Sequence, residues 1–247
     1  MPRTILDTEL EELRKKVIQL GSLVENALAQ ALSALQANDL VLCSGVIEAD
    51  AAIDTLRTAI EQQTFRLLTL QQPLGGQDLR FLTSLFSIVG DLERIGDGAA
   101  GIAQMLVRMV PLSQQVSPLE KTDQHASLAE TALVQGLYDL GKEAHRVFEG
   151  TMQAFATKNV QAARYLWEED DVVDVRYHLV RHDLMQKLSG VHAIPAVEQD
   201  EYILQRVTYY LWMAHKWERV ADHCTNICER IVFILEGETA IHLSSSP

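Results

Sequence analysis

The stretch Asp91-Leu-Glu-Arg-Ile-Gly-Asp-Gly-Ala99 decides the fold, because its central part occurs twice. Leu92-Glu-Arg-Ile-Gly-Asp97 returns 125 residues later as Trp217-Glu-Arg-Val-Ala-Asp222. Both copies read Glu-Arg-apolar-small-Asp, with the two acids four residues apart. Upstream, Asp50-Ala-Ala-Ile-Asp54 returns 120 residues later as Asp170-Asp-Val-Val-Asp174. Such long-range self-similarity marks an internal duplication rather than two unrelated domains. The change of offset is absorbed by a longer loop around Pro195 in the second copy.

Apolar spacing around the motif is helical. Leu82, Leu85, Val89, Leu92, Gly96, Ala99, Ala103, Leu106 and Val110 follow alternating steps of three and four. A period near 3.5 puts them on one seam of a long helix. The same steps link Leu10, Leu13, Val17, Leu20 and Val24, then Val46, Ala49, Ile53, Leu56 and Ile60, continuing to Leu67 and Leu70. In the second half they link Leu133, Leu137, Leu140, Ala144 and Val147, and also Val207, Tyr210, Ala214, Trp217, Ala221, Cys224, Cys228 and Ile231. Strand-like alternation is absent over any useful length. Pro73, Pro111, Pro118 and Pro195 place breaks near 71–77, 111–121 and 189–199. Asn38-Asp39 and Lys158-Asn159, again 120 residues apart, offer side chains suited to capping the helices that follow them. The pattern predicts helices over about 4–37, 39–70, 77–110, 122–157, 159–188 and 199–236. The fold class is all-α, with one three-helix bundle in 1–112, a second in 121–238 and a polar tail at 239–247.

Composition narrows the function. Of 247 residues, 47% are apolar, enough for a core, and the formal charge is −13 without a long Lys/Arg run. Binding nucleic acid in general needs a positive surface that displaces counterions, so this balance argues against it. No signal-like segment and no run of 18 apolar residues occurs, so no membrane span is expected. Three cysteines, Cys43, Cys224 and Cys228, fit a reducing compartment, and the protein is expected in the cytoplasm. Cys224 and Cys228 share the hydrophobic seam and belong to the core. Trp167, Trp212 and Trp217 read as core or rim anchors.

The duplicated acids carry the chemistry. Residues four apart share a helix face, and in an antiparallel hairpin, positions equidistant from the turn face one another. About Pro73, Asp50 faces Asp97 and Asp54 faces Glu93. About Pro195, Asp170 faces Asp222 and Asp174 faces Glu218. Asp50, Asp54, Glu93, Asp97, Asp174, Glu218 and Asp222 each follow a seam residue by one position, so they border the core. Four facing carboxylates repel one another, and a bound cation or a raised pKa relieves this. All-oxygen ligands suit hard ions such as Mg²⁺, Mn²⁺ or Fe³⁺. Asn226 continues the second acidic row, and His178 and His182 extend it from Asp174. His178 falls near His215 by the same mirror relation, and His223 is another possible contact. Gly96 and Gly101 lie inside a helix, where glycine costs up to about 1 kcal/mol; close helix approach or room beside the acids accounts for them.

On DLERIGDGA at 91–99 and WERVADHCTNICE at 217–229, the sequence resembles the PhoU family of phosphate-transport regulators. The second segment is similar to the family's ERIGDHxxNIxE pattern, and the two upstream Asp-x-x-x-Asp pairs match its other acidic motifs. Departures are Val220-Ala221 in place of Ile-Gly, and Gly98 where the second copy has His223. The resemblance spans nearly the whole chain. It implies tandem three-helix bundles with multinuclear metal clusters, of iron, zinc, manganese or magnesium, on the acidic motifs. It also implies negative control of phosphate uptake and phosphate-starvation signalling. The implied partners are the ATPase component of a phosphate ABC transporter and a phosphate-sensing histidine kinase. The long amphipathic helices are compatible with a homodimer. Two alternatives stand beside this. A carboxylate-bridged helical-bundle enzyme would use Glu-x-x-His pairs, and none occurs; P-loop and GxSxG motifs are also missing. A structural scaffold would have no need of mirrored acids.

Overall fold

A computed structural model describes residues 3–70, 73–114, 124–168, 170–191 and 199–237. All secondary structure in these residues is helical: α1 (Arg3–Ala37), α2 (Leu40–Leu70), α3 (Gly76–Gln114), α4 (Gln124–Thr157), α5 (Val160–Glu168), α6 (Asp170–Val191) and α7 (Gln199–Glu236). The expected all-α fold is present. Two elements differ from expectation. Helix α3, expected to stop before Pro111, continues to Gln114, since proline removes a single backbone donor and does not always end a helix so near its terminus. The helix expected over 159–188 is described as α5 and α6 on either side of residue 169, with α6 running on to Val191. The breaks at Pro118 and Pro195 and the tail at 239–247 lie outside the described residues.

The duplicated helix ends are built alike. Asn38 and Lys158 take positive φ, 51° and 54°, and the next amides reach back to Ala34 and Ala154 carbonyls, at 3.2 and 3.0 Å. This closes each preceding helix in a Schellman-type turn. Asp39 Oδ1 then accepts hydrogen bonds from the Val41 and Leu42 amides, at 2.8 and 3.3 Å. Asn159 Oδ1 accepts from Ala162, at 3.0 Å. Both side chains act as N-caps, as their sequence positions predict.

In the first half α1, α2 and α3 pack against one another; in the second α4, α5–α6 and α7 do the same. The halves meet where α1 packs on α4 and α3 on α7, while α2 and α6 stay on the outside. One apolar cluster runs through both halves, with Leu13, Leu20, Ile53, Leu85, Leu92, Phe148 and Trp217 almost fully buried. The α1/α4 contact follows a pseudo-twofold. A Cβ on Gly21 would meet the Met152 side chain, and one on Gly141 would meet Leu32 at 2.7 Å and the Trp217 ring at 2.8 Å. Residues 21 and 141, like 32 and 152, are 120 apart. Small residues therefore let the copies approach closely across the axis.

Polar contacts fasten the ends. The Arg14 guanidinium lies 4.7 Å from the Phe81 ring centroid and 5.3 Å from that of Phe155, and burial lowers its pKa. Arg80 donates to the Ile234 carbonyl at 3.3 Å in the last turn of α7, where a cation also answers the helix dipole. On α2 the buried apolar stripe is narrower than the spacing implied: Val46, Ile53, Ile60 and Leu67 are buried, whereas Ala49 and Leu70 are exposed. An outer helix contacting only α1 and α3 buries this one heptad position throughout and a second only at Cys43 and Thr64.

Candidate metal centre

The α2/α3 hairpin brings the first row together in the expected register. Burial raises the Asp50 pKa, and the neighbouring charges of Asp97 and Asp54 raise it further. Burial likewise raises the pKa of Glu93; Asp97 and Asp54 add to this, while Arg57 and Arg94 oppose it. Asp50 and Glu93 are partly buried; Asp54 and Asp97 are exposed. The row thus borders the core. Beside it, a Cβ on Gly96 would come within 2.9 Å of Ile53 Cδ1, so the glycine lets α3 sit close to α2 beside Asp54 and Asp97. The equivalent position in the second copy, Ala221, is buried.

Arg57 Nη1 donates to Glu93 Oε1 at 3.1 Å, and its Nε donates to Glu61 Oε1 at 3.1 Å. The sequence motif alone does not reveal this counter-charge, although Arg57 lies one helical turn beyond Asp54. Arg94 takes a different position. With Asp97, Gly98, Lys216, Arg219, Val220 and His223 it lines a small groove of about 50 Å³ between α3 and α7.

In the second row, Tyr177 lies beside Glu218. Burial raises the tyrosine pKa, and the Glu218 charge adds to the shift. The Tyr177 and His215 rings are 6.4 Å apart, and those of Tyr177 and His178 are 5.6 Å apart. His215 Nδ1 donates to Glu218 Oε2 at 2.6 Å. This register puts Asp174, one turn before Tyr177, opposite Glu218. Tyr177 therefore occupies the place that Arg57 has in the first row, and a tyrosine–histidine pair replaces a guanidinium. The side chain of Asp170 lies outside the described residues. Asp222 is exposed and engaged by a neighbour.

His223 and Asn226 turn across the repeat boundary. His223 Nδ1 lies 2.9 Å from Asp91 Oδ1, and Asn226 Nδ2 donates to the same oxygen at 3.4 Å. They join the second copy's motif helix to the first copy's. Asp91 opens the decisive stretch, but its role needs the α3/α7 crossing and is invisible in one hairpin. His182 makes a 2.9 Å contact with Gln186.

The residues fit hard cations chemically. Their donors are carboxylate oxygens, like charges crowd the first row, and partial burial makes ionisation costly. The rows are open arrays: among the described residues, no three of these carboxylates offer ligand atoms within 4.8 Å of one another. Cys43, Cys224 and Cys228 take no part, since all are buried. Cys228 lies 3.5 Å from Thr151 Oγ1, and burial pushes its pKa up to about 11.

Tandem three-helix bundles with mirrored acidic rows define a class of duplicated all-helical proteins. A family model described as PhoU domain matches residues 17–106 and 137–231, once in each half. The chain belongs to the PhoU family. It is 31% identical over 236 residues to the phosphate-specific transport system accessory protein PhoU homolog of Streptococcus pneumoniae serotype 4, covering 96% of this chain and 97% of the relative. It is 28% identical over 237 residues to PhoU of Escherichia coli K12, covering 96% and 88%. The crystal structure of the S. pneumoniae phosphate transport system regulatory protein PhoU superposes with a TM-score of 0.75 at 29% identity, covering 95% of this chain and 98% of that one. PhoU from Pseudomonas aeruginosa gives 0.77 at 26%, covering 94% and 99%.

Proposed function

We propose that this chain is a metal-binding regulator of phosphate transport, not an enzyme. The supporting observation is the first acidic row, where Asp50 and Glu93 are both partly desolvated and crowded by Asp54 and Asp97. A fold that keeps such a row accepts its repulsion, which a bound cation removes. Asp50, Asp54, Glu93 and Asp97 would hold the first cluster, and Asp170, Asp174, Glu218 and Asp222 the second. A bound metal would supply fixed positive charge there, offsetting the repulsion between the facing carboxylates. Glu218, held by His215, would be a ligand of the second cluster, while His223 and Asn226 are engaged with Asp91 on the other copy's motif helix.

The phosphate role rests on the family and on the names of its relatives. In this reading the protein works in the cytoplasm as a homodimer. It acts as a negative regulator, an adaptor between a phosphate ABC transporter's ATPase and a phosphate-sensing histidine kinase. No helix among the described residues is long and apolar enough to cross a membrane, so contact with a transporter would run through its cytoplasmic parts. Deleting the gene should derepress phosphate uptake and alkaline phosphatase activity in phosphate-rich medium. An unchanged response to phosphate in the deletion strain would refute the regulatory role.

A further inference from the structure

A second donor set, chemically unlike the acidic rows, lies on the α1/α4 seam. Glu25, His145 and Glu149 each offer a ligand atom within 4.8 Å of the other two. Glu25 and His145 occupy equivalent positions, 120 residues apart, and the pseudo-twofold turns them toward each other where α1 packs on α4. Glu149 follows His145 by four residues and so shares its helix face. Its first-copy equivalent is Ala29. The set is therefore built across the two copies, from residues that the duplication does not repeat.

Ordinary packing does not account for the histidine. Nδ1 lies 3.8 Å from Glu149 Oε1, too far for a hydrogen bond. Nε2 is buried and has no hydrogen-bond partner among the described residues. Nδ1, the ring nitrogen nearest Glu149, is the donor that the set offers to an ion, and the two carboxylates beside it repel each other. A shared cation offsets the repulsion and gives the ring a function. Ligand atoms on a tetrahedral ion with bonds near 2.0–2.1 Å stand about 3.3 Å apart, and the exposed Glu149 side chain (51%) has the freedom to close that distance. An open groove bordered by Ser22, Glu25, Arg146, Glu149 and Gln153 runs alongside, providing an entry path and space for a water ligand. One imidazole with two carboxylates suits a borderline ion of the Zn²⁺ type, in contrast to the all-oxygen rows.

We propose that Glu25, His145 and Glu149 form a mononuclear site for a Zn²⁺-class divalent cation that clamps α1 to α4. The site stands independently of the acidic rows. The test uses full-length protein stripped of metal and titrated with Zn²⁺ against a chromophoric competitor, with imidazole NMR read in parallel. One equivalent should shift the His145 ring resonances. His145→Gln and Glu149→Ala should each weaken that equivalent by about tenfold or more while leaving helical circular dichroism unchanged. Glu93→Gln/Asp97→Asn should retain it, which separates this site from the first row. Unmoved His145 resonances, or wild-type Zn²⁺ affinity and stoichiometry in both single variants, would show a plain histidine–carboxylate cluster and overturn the proposal.

Discussion

Asp50 and Glu93 show what the acidic rows demand of single residues. Both carboxyls have raised pKa values in the folded chain, through burial first and then through facing acids. Between their ordinary and raised values the folded state binds more protons than the unfolded state. The metal-free protein should therefore gain stability as pH falls through the raised values, and that gain is complete below the ordinary carboxylate range and lost as pH rises through the folded pKa. Asp50→Asn should flatten this dependence. At neutral pH it should stabilise the metal-free chain by up to about 0.5–1 kcal/mol, the scale of relieved like-charge contacts, while lowering metal content. Denaturant titrations of stripped protein across pH check this; an Asp50→Asn chain less stable than wild type at neutral pH would count against row repulsion. The four acids of the first row were legible because helix periodicity and mirror symmetry about Pro73 suffice to find them. Arg57, Tyr177 and Asp91 were not, since a partner from another helix defines each. His145 and Glu149 carried a readable i, i+4 spacing, but Glu25 joins them only through the packing of α1 on α4.

Among the elements, helix ends were easier to read than helix faces. Asp39 and Asn159 cap as their residue types predict, and the turns before them repeat at the 120-residue offset. The two turns are not equally comfortable. Asn38 tolerates the left-handed conformation through its short polar side chain, whereas Lys158 holds it at φ 54° against a steric cost of about 1–2 kcal/mol. Lys158→Gly should raise stability by about 0.5–1 kcal/mol after the added entropy of the unfolded chain is counted, and Asn38→Gly should raise it less. Equilibrium denaturation gives the order directly; equal or destabilising effects would contradict the turn geometry. Faces were harder to read because exposure depends on how many neighbours a helix has. Leu70 matches the α2 seam by spacing yet is exposed. Trp212, expected at the core or its rim, is 51% exposed and packs edge-on against Tyr209 at 5.8 Å.

At the scale of the whole molecule, duplication was legible and the union of the copies was not. Spacing within each half fixes a three-helix bundle, but the packing of α1 on α4 and α3 on α7 depends on residues such as Gly21, Gly141 and Met152, whose small or adaptable side chains permit close approach. A core continuous through both halves should unfold as a unit. All three tryptophans, Trp167, Trp212 and Trp217, lie in the second half, so fluorescence reports that half while far-ultraviolet circular dichroism reports both. The two denaturation curves should coincide; separate midpoints would show that the bundles melt independently.

Metal analysis of the purified full-length chain tests the acidic rows most directly. More than one ion per chain should be retained, with content falling in Glu93→Gln/Asp97→Asn and falling further when Glu218→Gln/Asp222→Asn is added. A chain that purifies without metal and takes up none on titration, or one whose metal content is the same in wild type and both variants, would contradict the assignment of the mirrored carboxylates as metal ligands.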